Sequence, residues 1–223
     1  VSSQISSIAR TAPADSPSAI PTVVVVDDDP DLLVALESLF RSCGLHVLTC
    51  SSAPELLDLP MLLGPGCLVL DVRLPGISGL DLHARLASQS VCLPVIFMTG
   101  HGDIPMSVRA MKAGAIDFLA KPFRDQDLLD SVNEGIERDR RRLEELRNLE
   151  AHRKNHASLT PREREIMRMV VTGLMNKEIA GELGLSEITV KIHRANLMRK
   201  MRLRTLADLV RIAGTLNRPD LST

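Results

Sequence analysis

The chain has no tryptophan and no tyrosine, and only 4 phenylalanines in 223 residues. Binders of single-stranded nucleic acid stack bases on aromatic rings, so that class is disfavoured here. Any nucleic-acid contact must rest on charge, amides and aliphatic groups. Cys43, Cys50, Cys67 and Cys92 show no C-x-x-C spacing. In a chain with no export signal they read as reduced thiols packed like small apolar side chains. No apolar run approaches the roughly 20 residues of a membrane span. Residues 1–21 lack the charged start and apolar centre of a secretory signal and read as a disordered leading segment.

Charge of one sign is scarce in each half. Residues 21–137 hold 7 Lys/Arg against 16 Asp/Glu, whereas 158–223 hold 12 against 7, and 138–157 hold 7 against 4. The formal net charge of −1 therefore hides an acidic half and a basic half. Acidic clusters can hold cations, and basic surfaces face phosphate backbones. Length permits two modest domains, and the charge division supports that count.

What is present is a set of short apolar runs ending in polar residues. PTVVVVDDD, CLVLDV and LPVIFMTG, bounded by Pro, Gly or Asp, read as strands buried on both faces. Helical patterns alternate with them: one opening at Asp29-Pro30 with Asp29 as N-cap, then about 52–63, 79–89, 104–113 and onward from 125. Five strands alternating with five helices imply a doubly wound parallel sheet. The carboxyl ends of such strands share one edge, where ligands bind. Asp27, Asp28, Asp71, Thr99 and Lys121 all fall at strand ends and should meet there. Mg²⁺ prefers such oxygen ligands, so the suggested chemistry is phosphoryl transfer to an aspartate. Taken singly, Thr99, Lys121 and His101 would each be ordinary loop residues.

VVVVDDDPDLLVAL, CLVLDVRLPGISGLDL and VIFMTGHGDIPMSVRAMKAGAIDFLAKPF resemble the receiver domain of two-component response regulators of the FixJ type, over about 23–137. The resemblance implies a flavodoxin-like α/β fold with strand order 2-1-3-4-5. It implies Asp71 as phosphoacceptor, with Asp28, Asp71 and the Arg73 backbone carbonyl on Mg²⁺ and Asp27 holding a metal-bound water. It further implies Lys121 paired with Asp71, Thr99 donating to a phosphoryl oxygen, and Phe118 as the switch residue. Pro122 makes a cis bond after Lys121 plausible.

From 128 a helical pattern continues to about 155. Leu129, Val132, Ile136, Leu143 and Leu146 follow a weak heptad spacing that Asp139 and Glu150 interrupt. A solvated connecting helix with i,i+4 charge pairs is an equal reading. Beyond it Thr160, Pro161 and Glu163 form a capping pattern, followed by four short helices near 161–172, 176–183, 186–201 and 205–214. Gly184-Leu185-Ser186 makes the tight turn of a helix-turn-helix. On the third helix Val190, Leu197 and Met201 fall within about 20° of one line and should be buried. Ile188, Ile192, Ala195 and Arg199 then face outward, flanked by Lys191 and Asn196, while His193 lies beside the buried face.

SLTPREREIMRMVVTGLMNKEIAGELGLSEITVKIHRANLMRKM resembles the LuxR-type DNA-binding domain of NarL and FixJ proteins. The resemblance implies base contacts from Lys191, Ile192 and Ala195 in the major groove. Asn196 lies beside them, and Thr189, Arg194, Arg199, Lys200 and Lys177 are assigned to phosphates. The expected organisation is a leading segment 1–21, receiver 22–137, linker helix 138–157 and all-α DNA-binding domain 158–223. The implied protein is a cytoplasmic bacterial transcription regulator and not an enzyme, dimerising on phosphorylation by a sensor histidine kinase. It would bind promoter DNA, with RNA polymerase as a further partner and no membrane. Within the family, the likeness runs to the StyR and TodT kind, regulators of aromatic-hydrocarbon catabolism. Two alternatives stand beside it: a haloacid-dehalogenase-like phosphatase with Asp27 as nucleophile and Asp29 as second carboxylate, and a DNA-binding protein whose receiver docks a partner without phosphorylation.

Overall fold

The computed structural model describes residues 20–216 apart from 60, 61, 63, 90 and 101–103. His101 and most of the opening segment lie outside the described residues. The chain divides into two compact units, one ending at Glu144 and the other starting at Glu145.

In the first unit the apolar runs become β1 (Thr22–Val26), β2 (His46–Cys50), β3 (Gly66–Asp71), β6 (Val95–Thr99) and β7 (Asp117–Ala120). They pair in parallel in the order β2-β1-β3-β6-β7, which is the expected doubly wound sheet. Side chains alternate across a strand, and the two cores follow that alternation. Val24, Val26, Leu68, Leu70, Val95 and Phe97 pack on one face with residues of α2 (Ala53–Leu57), α3 (Gly79–Ser88) and α4 (Ile104–Lys112). Val23, Val25, Cys67, Val69, Ile96 and Met98 pack on the other with α1 (Pro30–Ser42) and α5 (Asp125–Ala157).

Two local expectations change. The second helix stops at Leu57 rather than near 63, because Leu59 precedes Pro60 and that position disfavours the α conformation. A small hairpin, β4 (Arg73–Leu74) with β5 (Ile77–Ser78), follows β3. Pro75-Gly76 supplies its turn, a dipeptide suited to positions i+1 and i+2 of a type II turn. Asp29 caps α1 as expected, accepting from the Asp31 and Leu32 backbone N–H groups.

Helix α5 is 33 residues long. Its apolar spacing serves the receiver core more than a free seam: Val132 and Ile136 are buried beneath the sheet and Leu143 is buried beyond them, while Leu146 is exposed. Asp139, an interruption in the heptad reading, is fully buried. Its Oδ2 accepts the Gly66 backbone N–H at 2.8 Å, and its Oδ1 accepts from Arg142 Nε and Nη2 at 3.1 and 3.0 Å. A buried charge is tolerable when it is paired and hydrogen-bonded. Close approach is possible because residue 135 is glycine; a Cβ there would sit 2.6 Å from Cys67 Sγ.

The second unit contains the end of α5, then α6 (Pro161–Val171), α7 (Asn176–Leu183), α8 (Glu187–Met201) and α9 (Leu206–Leu216) around their own core, which includes Ile166, Ile179, Val190, Leu197 and Leu209. The capping box forms: Thr160 Oγ1 accepts from Glu163 N at 3.2 Å, and Glu163 Oε2 accepts from Thr160 N at 2.8 Å. Gly184, left-handed at φ 63°, ends α7, and Ser186 caps α8.

Asp139→Ala should lower the stability of the receiver unit by about 1–3 kcal/mol, the cost of an unsatisfied buried donor, since Gly66 N–H loses its acceptor. Urea unfolding followed by receiver amide signals checks this; parent-like stability would show that Asp139 does not anchor α5.

Candidate phosphoacceptor pocket and nucleic-acid interface

β1 and β3 are neighbours at the point where the strand order reverses, the usual place for a ligand crevice. Their carboxyl ends bring together Asp27, Asp28 and Asp71, which offer ligand atoms all within 4.8 Å of one another. Asp27 and Asp71 are buried, and Asp28 is exposed at the mouth. Buried Thr99 ends β6, beside Ala120 of β7 in register. Lys121 follows β7, and its backbone N–H donates to the Thr99 carbonyl at 2.7 Å. The five strand-end residues thus share one edge. The Lys121–Pro122 peptide is cis.

Lys121 makes its expected ion pair with Asp71 and a shorter one with Asp27. Its Nζ lies 2.5 Å from Asp27 Oδ2 and 3.6 Å from Asp71 Oδ1, so Asp27 is the hydrogen-bonded partner. Asp27 Oδ1 also accepts the Asp29 backbone N–H at 3.0 Å. Asp71 Oδ1 is buried and has no hydrogen-bond partner. Burial, the largest influence, holds the Asp71 carboxyl above its ordinary range; nearby Asp27 adds to this, and Lys121 and the Arg73 backbone N–H oppose it. With all three aspartates ionised, one ammonium leaves two negative charges in excess. Clustered carboxylates repel unless a cation neutralises them, so this donor set, with one orphaned buried oxygen, fits a divalent oxygen-preferring ion.

Phe118 pairs in register with Phe97 and is half-buried against the core on the α2–α4 face. Gly79 is a further residue on which the pocket depends. A Cβ there would come 2.2 Å from the Asp71 carbonyl oxygen, so any other residue would displace the backbone that carries Asp71. Its signal was the Ser-Gly step after a Pro-Gly turn. Asp29 is an exposed helix cap, which removes the second carboxylate of the phosphatase reading.

In the second unit α7, the Gly184 turn and α8 form the helix-turn-helix. Val190, Leu197 and Met201 are fully buried, whereas Ile188 and Ile192 are 70% and 56% exposed. Lys177, Lys191, Ala195 and Arg199 are also exposed, and Thr189, His193, Arg194 and Asn196 are half-buried. Thr189 Oγ1 lies 2.8 Å from Ser186 Oγ, Arg194 donates to Asn176 Oδ1 at 2.6 Å, and Arg199 donates to Asn196 Oδ1 at 3.1 Å. Lys200 is the correction: its Nζ sits 2.7 Å from Oε2 of buried Glu163, so its charge serves the fold. Burial pushes the Glu163 carboxyl up, but Lys200 and the Thr160 hydrogen bonds outweigh it and the net shift is downward.

Asp71 yields a test of the pocket's electrostatics. A carboxyl whose folded pKa is raised contributes stability below its unfolded pKa and loses it as pH rises through the folded value. In chelator-treated protein Asp71→Asn should therefore raise the receiver's unfolding midpoint at pH 7, with the gain fading toward pH 3.8. Thermal melts across that range check this, and equal midpoints at pH 7 would contradict it.

Comparison with known proteins agrees with both halves. Residues 23–133 match the response regulator receiver domain family, and residues 157–213 match the bacterial regulatory proteins of the luxR family. Nodulation protein W of Bradyrhizobium diazoefficiens is 56% identical over 194 residues, 87% of this chain and 86% of that protein. Response regulator protein TmoT of Ectopseudomonas mendocina is 45% identical over 194 residues, 87% and 88% of the respective chains. The solved structure of response regulator StyR superposes with a TM-score of 0.78 at 46% identity, covering 88% of this chain and 100% of that one. A carboxylate pocket at the reversal of a five-stranded parallel sheet, joined in one chain to a LuxR-type helix-turn-helix, makes this chain a member of the two-component response regulators.

Proposed function

We propose that Asp71 is the phosphoacceptor of a transcription regulator whose DNA binding is switched by a sensor histidine kinase. The observation that carries this reading is the buried Asp71 Oδ1 with no hydrogen-bond partner, in a pocket already holding Asp27, Asp28 and Lys121. In the proposed transfer an Asp71 oxygen attacks the phosphorus of a phosphohistidine. The O–P bond forms as the N–P bond breaks, and the imidazole leaves. Asp28, Asp71 and the Arg73 carbonyl would hold Mg²⁺, with Asp27 on a bound water. A metal in that place supplies charge neutralisation to the transferring phosphoryl group. Lys121, between Asp27 and Asp71, is placed to exchange a carboxylate for a phosphoryl oxygen. Thr99 would donate to another such oxygen, and Phe118 would turn inward after it. The chemistry at Asp71 is confined to gaining and losing its own phosphoryl group, so the chain is not an enzyme acting on a separate substrate.

The proposed functional divisions are a receiver over 22–137, a connecting helix over 138–157 and a DNA-binding domain over 158–223. Phosphorylation would pair receivers through the face formed by α4, β7 and the start of α5, and the bound dimer would act on RNA polymerase as an activator. Among the described residues no helix is long and apolar enough to cross a membrane, and a regulator that meets DNA and polymerase would work in the bacterial cytoplasm. For the genes controlled, the sequence reading is aromatic-hydrocarbon catabolism. The 56% identical relative is a nodulation protein, so a regulon would transfer through identity at the recognition helix rather than along the whole chain.

On α8, Lys191, Ile192 and Ala195 are proposed to face base edges. Thr189, Arg194, Arg199 and Lys177 are proposed at phosphates with Asn196 beside them, whereas Lys200 is held by Glu163. A base contact is worth about 1–3 kcal/mol of discrimination, so Lys191→Ala should weaken operator binding more than random-duplex binding. Arg199→Ala should weaken both alike and reduce the slope of log affinity against log salt by about one unit. Titrations of phosphodonor-treated protein on both duplexes at several salt concentrations check this; an undiminished operator preference in Lys191→Ala would put the reading face elsewhere.

A further inference from the structure

The DNA-binding unit holds a cavity of about 320 Å³ whose lining includes no residue of α7 or α8. It is lined by His156 at the end of α5, by Arg164, Met167, Arg168, Val171 and Thr172 along α6 and its cap, and by Ala213 and Leu216 of α9. Its volume is at the lower end of the range of small-molecule sites. The lining is amphipathic. Met167, Val171, Ala213 and Leu216 supply apolar walls, and Met167 and Ala213 are buried. Arg164, Arg168 and Thr172 recur every fourth residue, which stacks them along one stripe of α6.

Two guanidiniums at i,i+4 repel each other. Among the described residues neither Arg164 nor Arg168 makes an ion pair; the carboxylate between them in sequence, Glu165, is taken by Arg162 at 2.7 Å. Arg164 spends its Nε on the Leu159 carbonyl at 3.2 Å, which fixes the guanidinium at the cavity wall. His156 lies close enough to feel both charges: burial and then Arg164 and Arg168 hold its pKa below the ordinary imidazole value. A neutral imidazole can still donate one hydrogen bond. Two guanidiniums with no ion-pair partner among the described residues, beside an apolar floor, are the complement of an anion with an apolar body.

We propose that this cavity between the end of α5, α6 and α9 is a binding site for a small amphipathic carboxylate. The carboxylate would lie against Arg164 and Arg168 with His156 as a further donor, and the apolar body would cover Met167, Val171 and Ala213. Arginine suits the carboxylate because its planar fork donates two parallel hydrogen bonds. None of the residues proposed to touch DNA lines the cavity, so ligand and DNA would be bound by separate surfaces of one small domain.

The test titrates the full-length protein with octanoate, below its micellar range, observing amide and histidine-ring NMR signals. Saturable shifts are expected at α6 and α9, with the His156 ring titrating at higher pH when octanoate is bound. Neither 1-octanol, which lacks the charge, nor inorganic phosphate, which lacks the body, should saturate the same signals. Arg168→Gln, at an exposed position, should weaken octanoate at least tenfold while leaving the salt slope of DNA binding unchanged. The proposal would be overturned by no saturation with octanoate, equal affinity in Arg168→Gln, saturation of the same signals by phosphate or by 1-octanol, or a salt slope shallower by one unit in Arg168→Gln, which would make Arg168 a DNA phosphate contact. Saturation appearing only after removal of residues 217–223 would assign the cavity to the chain's own end and likewise overturn it.

Discussion

Three carboxylates and one ammonium at the open edge of a parallel sheet set the terms for the rest of the receiver unit. Asp27 and Asp71 are buried, yet only Asp27 is hydrogen-bonded to Lys121. The site is therefore under-neutralised, and burial first, with Asp27 adding to it, holds the Asp71 carboxyl above its ordinary range. A fold selected for stability alone would replace such a group. The β1/β3 neighbours keep it because parallel pairing delivers both strand ends to the same place, and because Gly79 leaves room beside the Asp71 backbone.

The same strand that ends in Asp71 begins at Gly66, whose N–H is held by Asp139 of α5. One end of β3 carries Asp71, and the other is fastened to the helix that runs on to Ala157. The two ends are joined by a single strand of 6 residues. In the second unit buried Glu163 plays a comparable structural part. It caps α6 and also holds Lys200 near the end of α8, so α8 is fixed to its support by charge as well as by Val190, Leu197 and Met201.

Much of this was legible in the sequence, for reasons that can be named. Runs such as Val23 to Val26 are buried on both faces and announce themselves by lacking polar alternation. Thr160, Pro161 and Glu163 state a capping box in local chemistry, and the 100° rotation per residue suffices to separate Val190 from Ile192. Asp29 was separable from its neighbours because capping is local. What was not legible depends on contacts distant in sequence. Asp139 looks like a break in a heptad until Gly66, 73 residues earlier, is placed against it. Lys200 looks like a phosphate ligand until Glu163 reaches it across 37 residues. The preference of Lys121 for Asp27 over Asp71 is a matter of about an ångström between two strand ends, which no pattern encodes.

In the proposed function Asp71, and no other carboxylate of the pocket, takes the phosphoryl group. The most direct measurement treats the intact protein with acetyl phosphate, with and without Mg²⁺, reduces the acyl phosphate with borohydride and locates the modified residue by mass spectrometry. Mg²⁺-dependent modification at Asp71 alone is the predicted result. Modification at Asp27, or labelling that does not need a divalent ion, would contradict the account.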